Sequence, residues 1–224
     1  DDLTLTAGLR YNHEKKNLAA NLNSSVPACA FFANPANAPY TQALLATSPS
    51  AILLACNPTV NSAFNGAYAD KRSENELTGT AKLSYKLNDE AMLFASYSHG
   101  YKSGGYNLDR GTFDSTLFGG NGAQASDLAF DKETSDSYEI GLKSNFGREM
   151  QLNVTGFYQD FGGYQNLRFE GTSFVVRQYK QVISKGIEIE LGVRPTTDVN
   201  MAFAYTYLSA KVDDAVNAAD DHNK

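Results

Sequence analysis

Residues 138–160, YEIGLKSNFGREMQLNVTGFYQD, carry apolar side chains at every second position on either side of a short break, GRE. Alternation with a period of two is typical of a β-strand that is covered on one face only. Two such runs around a short break that contains glycine predict two antiparallel strands joined by a tight turn. The pattern leaves open whether the apolar face packs against a second sheet or against lipid.

The same alternation recurs along the chain and predicts about seven strands, each of about ten residues or more. The other segments with this pattern are 3–12, 76–87, 91–103, 173–194 and 199–212. The second strand of the quoted hairpin is expected to continue to a turn near residues 170–172. Two aromatic residues, Phe94 and Phe157, interrupt faces that are otherwise polar.

Long and short connections alternate between these strands. Residues 14–73 and 104–132 form long connections, whereas 88–90, 147–149 and 195–198 form short turns. Strands of globular proteins most often have about 5–6 residues, whereas a tilted transmembrane strand needs roughly 9–11. Outer-membrane barrels place short turns at the periplasmic end and long loops outside. The sequence therefore predicts an all-β, antiparallel, up-and-down transmembrane β-barrel, in which the two long connections are extracellular loops.

Composition argues against several classes of function. The net charge is −6 and the cationic residues are scattered, which argues against nucleic-acid binding. The three histidines, His13, His99 and His222, lie far apart, and no catalytic or metal-binding spacing is present. We therefore predict no enzymatic activity, no catalytic residues, no metal site and no cofactor. The polar faces carry charges of both signs. One interpretation is that they pair across neighbouring strands inside a wet lumen, and the alternative is a solvated sheet face. These charges are Arg10, Lys82, Lys86, Glu139, Lys143, Glu188, Glu190 and Arg194.

Both cysteines, Cys29 and Cys56, lie in the first long connection, 27 positions apart. A disulfide that closes a loop is one interpretation, and it requires an oxidising compartment. Two unpaired thiols buried as small apolar residues are the alternative. The same connection contains TQALLATSPSAILLAC at 41–56, which predicts a short helix.

Four segments resemble the TonB-dependent outer-membrane receptors and occur in the order found in that family. They are LFASYSHGYKSGGYN at 93–107, KETSDSYEIGLKSNF at 132–146, LNVTGFYQDFGGYQNLRF at 152–169 and SKGIEIELGVRPTTDVNMAFAYTYLSAKVDD at 184–214. The resemblance covers most of residues 74–214, whereas the insertion at 14–73 and the last ten residues match nothing in the family pattern.

The resemblance implies a bacterial outer-membrane barrel of about 22 strands whose lumen holds a plug domain. Such receptors import scarce ligands, most often ferric siderophores, with energy delivered by TonB. No plug domain, TonB box or terminal aromatic strand is found in the sequence, so residues 1–224 are expected to form a partial β-barrel domain. The implied partners are the lipid bilayer, the receptor's own plug domain, TonB (reached through the missing N-terminal part) and a ferric siderophore or similar small ligand.

Aromatic and cationic residues in the loops are the candidate ligand-binding residues, because this mixture suits anionic or catecholate-type ferric chelates. They are Tyr106, Arg110, Tyr164, Arg168 and Arg177. Ordinary solvated loop residues are the alternative interpretation of these five. Two other functions remain open at this stage, namely a soluble all-β ligand-binding module of the carbohydrate-binding type and a porin without a plug.

Overall fold

A computed structural model describes residues 2–57, 59–114, 120–147, 149–169 and 173–216. Seven long strands of these residues form one antiparallel sheet in the order β1-β2-β3-β6-β7-β8-β9, and two short strands pair separately. The strands are β1 (Leu3–Leu22), β2 (Gly66–Asn88), β3 (Ala91–Lys102), β4 (Gly105–Tyr106), β5 (Ala129–Phe130), β6 (Glu133–Phe146), β7 (Met150–Phe169), β8 (Phe174–Thr196) and β9 (Val199–Val216). The predicted all-β, up-and-down fold is therefore confirmed.

The register gives the sheet one apolar and one polar face, because residues opposite each other on paired strands point to the same side. One row of the apolar face crosses all seven long strands: Leu5, Leu83, Ala95, Ile140, Gly156, Ile187 and Tyr207. The adjacent row belongs to the polar face: Thr6, Lys82, Ser96, Glu139, Phe157, Gly186 and Leu208.

The apolar face is not covered by the described residues. Leu5 is 70% exposed, Ile140 67% and Tyr207 59%. A soluble sandwich would bury such side chains against a second sheet. The only other sheet in the described part of the chain is the two-residue ladder of β4 and β5. The alternative of a soluble all-β module therefore has no support from the packing.

The first long connection is shorter than the predicted 14–73, because β1 continues to Leu22 and β2 already begins at Gly66. The two extensions pair directly, from Glu14 opposite Glu74 to Leu22 opposite Gly66. Both faces of this extension carry polar residues, so apolar alternation could not reveal it. Residues 23–65 form the connection itself.

Three short α-helices lie in this connection: α1 (Ala28–Ala33), α2 (Ala38–Thr47) and α3 (Pro49–Ala55). The single helix predicted within 41–56 is thus two helices, because Pro49 begins the second one and cannot continue the first. Among the described residues, no helix combines the length and apolar character needed to cross a membrane.

The second long connection comprises residues 103–132, one residue more than the predicted 104–132, since β3 ends at Lys102 and β6 begins at Glu133. The short ladder of β4 and β5 closes its base, where Gly105 lies opposite Phe130. The hairpin of β7 and β8 is paired as far as Phe169 and Phe174. The predicted turn at 170–172 and the acidic terminus beyond Val216 lie outside the described residues.

Candidate functional site: the loop cluster and the polar wall

The described residues of the second long connection, 103–114 and 120–132, pack on the extension of the β1–β2 hairpin, on the side that continues the polar face. Leu18, Phe64, Phe113 and Leu128 form a buried cluster there, and Tyr106 packs against it. The Tyr106 hydroxyl donates a hydrogen bond of 2.9 Å to Asp70 Oδ2. Burial, and after it this hydrogen bond, raises the pKa of Tyr106, so the phenol remains a donor to the carboxylate. Tyr106 therefore anchors the loop.

Arg110 belongs to the same loop and is also buried, with only 8% of its surface exposed. Its Nη1 donates to Asn65 Oδ1 at 3.2 Å, which joins the loop to the end of the first connection. The neighbouring Asp109 accepts a hydrogen bond of 2.9 Å from the Phe174 backbone amide through Oδ2. The segment around Arg110 thus contacts both the β1–β2 connection and the start of β8.

The base of the loop is held at Asp131 from two sides. On one side, the Arg72 guanidinium lies 2.9 Å from Asp131 Oδ1 and 2.7 Å from Glu74 Oε1. On the other side, Gln165 and Gln178, which are cross-strand partners, donate to the Asp131 carbonyl at 2.8 and 2.9 Å. Gln178 also accepts from the Asp131 amide at 3.0 Å. These contacts connect the hairpins β1–β2 and β7–β8 through one residue, Asp131.

The other three candidate residues lie on the β7–β8 hairpin. The register pairs Tyr164 with Tyr179, Asn166 with Arg177 and Arg168 with Val175. Tyr164, Arg168 and Arg177 therefore lie on one side of the hairpin, in positions that continue the apolar face beyond Tyr158 and Asp160. Arg168 is exposed, whereas Tyr164 and Arg177 are half-buried. The five residues therefore divide into two anchors of the loop, Tyr106 and Arg110, and three residues on the hairpin.

A disulfide joins Cys29 to Cys56, with a Cα–Cα distance of 4.6 Å. Both cysteines are buried beside Ile52, and Phe32 and Leu44 pack against them. Residues 17–69, which include this lobe, contain no charged side chain. The lobe, residues 23–65, therefore holds its helices together by one covalent link, apolar contacts and neutral hydrogen bonds, such as that from Thr41 Oγ1 to the Phe32 carbonyl at 3.1 Å.

The charged residues of the polar face do not pair as predicted. Within the described residues, none of the eight forms a salt bridge. The register explains most of this outcome, because six of the eight lie opposite uncharged residues only, whereas Lys86 also lies beside Asp2 and Arg194 beside Glu149. Arg10 faces Thr78, Lys82 faces Thr6 and Ser96, Lys86 faces Met92, Glu139 faces Ser96 and Phe157, Lys143 faces Met92 and Asn153, Glu188 faces Thr155 and Thr206, and Glu190 faces Asn153 and Ala204.

Two of these cations converge on one aromatic ring. Lys82 Nζ lies 5.0 Å and Lys143 Nζ 5.6 Å from the centroid of the Phe94 ring. Each such contact stabilises by about 0.5–1 kcal/mol at an exposed site. Phe94 is only 7% exposed, although it lies on the open polar face. The interruption that Phe94 makes in the polar pattern is thus part of a defined cluster.

A family model described as TonB dependent receptor-like, beta-barrel, matches residues 1–224. The chain belongs to this family. The predicted resemblance is confirmed, and the sheet is accordingly part of a TonB-dependent receptor barrel. The match also includes residues 14–73 and the last ten residues, which the sequence motifs had left outside the family pattern. The seven long strands of the described residues form an open sheet and do not close a barrel by themselves.

Solved structures of receptors share the fold at low sequence identity. The ferric yersiniabactin uptake receptor FyuA from Yersinia pestis has a TM-score of 0.62 and 14% identity, over 96% of this chain and 25% of that one. The siderophore receptor PiuA from Acinetobacter baumannii has a TM-score of 0.56 and 18% identity, over 94% and 23%. The ferric-catecholate import receptor Fiu from E. coli K12 has a TM-score of 0.53 and 14% identity, over 96% and 26%. The chain thus spans about a quarter of the length of each.

Sequence patterns could not reveal the contacts at Asp131, because the groups that meet there lie far apart along the chain. The cluster at Phe94 did leave a signal. An aromatic residue interrupts the polar side of one predicted strand, and Gly141 lies directly opposite it on the next strand. Such a pair indicates a ring that lies flat over a glycine in a sheet.

Proposed function

We propose that this chain forms part of the wall of a TonB-dependent receptor in the bacterial outer membrane, with its apolar face against lipid and its polar face along the lumen. The observation that carries the proposal is the contrast between the two faces. One face exposes large apolar side chains on all seven long strands, whereas the other carries charged and hydroxyl groups. Hydrocarbon on one side and water on the other select this contrast in a membrane barrel.

The upper limit of the apolar band supports this placement. Tyr97, Tyr138 and Tyr158 are consecutive partners in the register, with ring centroids 5.0 and 6.3 Å apart. Tyrosine favours the membrane–water interface, where its ring is in apolar surroundings and its hydroxyl is hydrated. The next row toward the long connections is polar, with His99, Asp136 and Asp160. We therefore infer that the long connections are extracellular.

For the ligand we infer a ferric siderophore or a similar scarce chelate, imported with energy from TonB. The structural neighbours with siderophore or iron-chelate titles support this inference. We assign ligand contacts to Tyr164, Arg168 and Arg177, and a structural role to Tyr106 and Arg110.

Uptake of radioactive iron by cells tests the transport proposal. Cells with and without the intact gene are supplied with ⁵⁵Fe as catecholate, hydroxamate or mixed chelates, under iron limitation. We expect uptake of at least one chelate to require the gene and to stop when TonB is deleted or the proton gradient is collapsed. Uptake that persists without TonB or the gradient points instead to a porin without a plug.

Variants of the β7–β8 hairpin test the site within that assay. Arg168→Gln is expected to reduce uptake of the transported chelate several-fold by raising its apparent KM, because an exposed guanidinium binds anionic groups. Lys180→Gln is the matched control, since Lys180 is also an exposed cation of the hairpin. Equal effects of the two substitutions would show that only the general charge of the hairpin matters.

A further inference from the structure

Lys82, Phe94 and Lys143 come from three neighbouring strands, β2, β3 and β6. In the register Phe94 lies between Ser84 and Gly141. Lys82 and Lys143 each lie two residues from those partners, in diagonal positions on either side of the ring. Long side chains reach a neighbour at a diagonal position. Both lysines do so here, with their ammonium groups 5.0 and 5.6 Å from the ring centroid.

Gly141 explains why the ring is so well covered. A Cβ placed on Gly141 would lie 2.6 Å from Phe94 Cε1 and 2.7 Å from Cζ, so the ring rests directly on the backbone of β6. One side of the Phe94 ring faces the backbone of Gly141, so only its other side is open to side chains of the polar face. Both lysine ammonium groups lie over this ring, which is only 7% exposed.

The pair of ammonium groups has no counter-ion in the described part of the wall. No carboxylate oxygen there lies within 4.0 Å of either nitrogen. Glu139, the nearest acidic residue in the register, instead accepts a hydrogen bond from the Ser96 hydroxyl at 3.3 Å. Two cations that share one ring repel each other, so a negative charge between them is favourable.

We propose that Lys82 and Lys143 form a binding site for an oxyanion, a carboxylate or phosphate group, on the wall of the lumen. The proposal rests on the proposed function in one respect, namely that the polar face lines the lumen. The oxyanion has two conceivable sources: an Asp or Glu side chain of polypeptide that occupies the lumen, or a soluble anion that enters it. The chemistry of the site is the same in both cases.

Carbodiimide treatment of outer membranes that contain the complete receptor identifies the first source, because it joins an amine to a carboxylate in direct contact. We expect peptide mapping to find Lys82 or Lys143 bonded to an acidic residue outside residues 1–224. Lys86 is the control, since it lies on the same face of β2, four residues nearer the turn, and is exposed. It is expected to form no such bond.

Amine acetylation in phosphate or in chloride, at equal ionic strength, identifies the second source. If a soluble oxyanion is the occupant, phosphate slows acetylation of Lys82 and Lys143 several-fold and leaves Lys86 unchanged. Lys82→Gln should then abolish the protection of Lys143, because one ammonium alone holds the anion poorly.

The proposal is overturned if neither lysine is crosslinked or protected, or if the only crosslink is to Glu139. This failure is distinct from failure of the proposed function, which the iron-uptake assay reports. A receptor that imports iron while both lysines react like Lys86 would contradict only the anion site.

Discussion

Glycine lies opposite phenylalanine at two places on the polar face, Gly141 beside Phe94 and Gly186 beside Phe157. In both pairs a Cβ on the glycine would be closer than 3.0 Å to a ring carbon. The two aromatic interruptions of the polar pattern are therefore explained by the residue on the next strand. In each pair the phenylalanine ring covers the backbone of the glycine, which has no side chain of its own.

Gly141→Ala tests this packing at the level of one methyl group. The added Cβ would meet Phe94 Cε1 and the Val154 carbonyl oxygen, both at 2.6 Å. Because overpacking forces neighbours out of place, we expect a loss of about 1–3 kcal/mol in the free energy of unfolding. Denaturant titration of the complete receptor in detergent micelles measures the loss.

Gly156→Ala is the matched control on the adjacent strand β7. A Cβ there has Ile140 Cγ2 at 3.8 Å as its nearest neighbour, which is ordinary contact. Its effect should be small, and a stabilisation would be consistent with the reduced freedom of the unfolded chain. Equal losses for the two substitutions would contradict the role assigned to the Phe94 ring.

Among the elements, the two long connections differ in what holds them. Residues 103–132 are attached to the β1–β2 and β7–β8 hairpins by polar contacts at Asp131 and by the cluster around Leu128. The lobe at 23–65 is instead closed on itself by Cys29 and Cys56. The sequence indicated the length of the second connection but overestimated that of the first, and the packing of both depends on groups that are distant along the chain.

Replacing both cysteines by serine tests the lobe. In the chain-entropy picture, a crosslink over a loop of this length stabilises by about 3–4 kcal/mol. We expect residues 23–65 of the variant to lose protection from hydrogen exchange by a corresponding factor, while the paired residues of β1 and β2 keep theirs. Unchanged protection in the lobe would show that apolar contacts alone maintain it.

At the scale of the whole molecule, the sheet of the described residues has two edges, β1 and β9. Each of these strands pairs with one neighbour only, so its other side presents free backbone groups. In a bilayer such groups cost several kcal/mol each unless another strand pairs with them. Further strands of a receptor barrel would satisfy both edges.

Residues 1–224 expressed alone and refolded into detergent micelles are therefore expected to associate through β1 and β9. Analytical ultracentrifugation should show dimers and larger species, whereas the complete receptor should sediment as one defined species. A stable monomer of the isolated chain, with protected amides along both edge strands, would contradict the expectation.

The sequence by itself determined the strands, their order of long and short connections, and the presence of two chemically different faces. This information is local, because alternation along a strand records what lies on each side of it. The tertiary structure alone decided that Tyr106 and Arg110 anchor a loop, that most wall charges face neutral partners, and that two lysines share the Phe94 ring. These outcomes depend on register, which brings together residues that no local pattern relates.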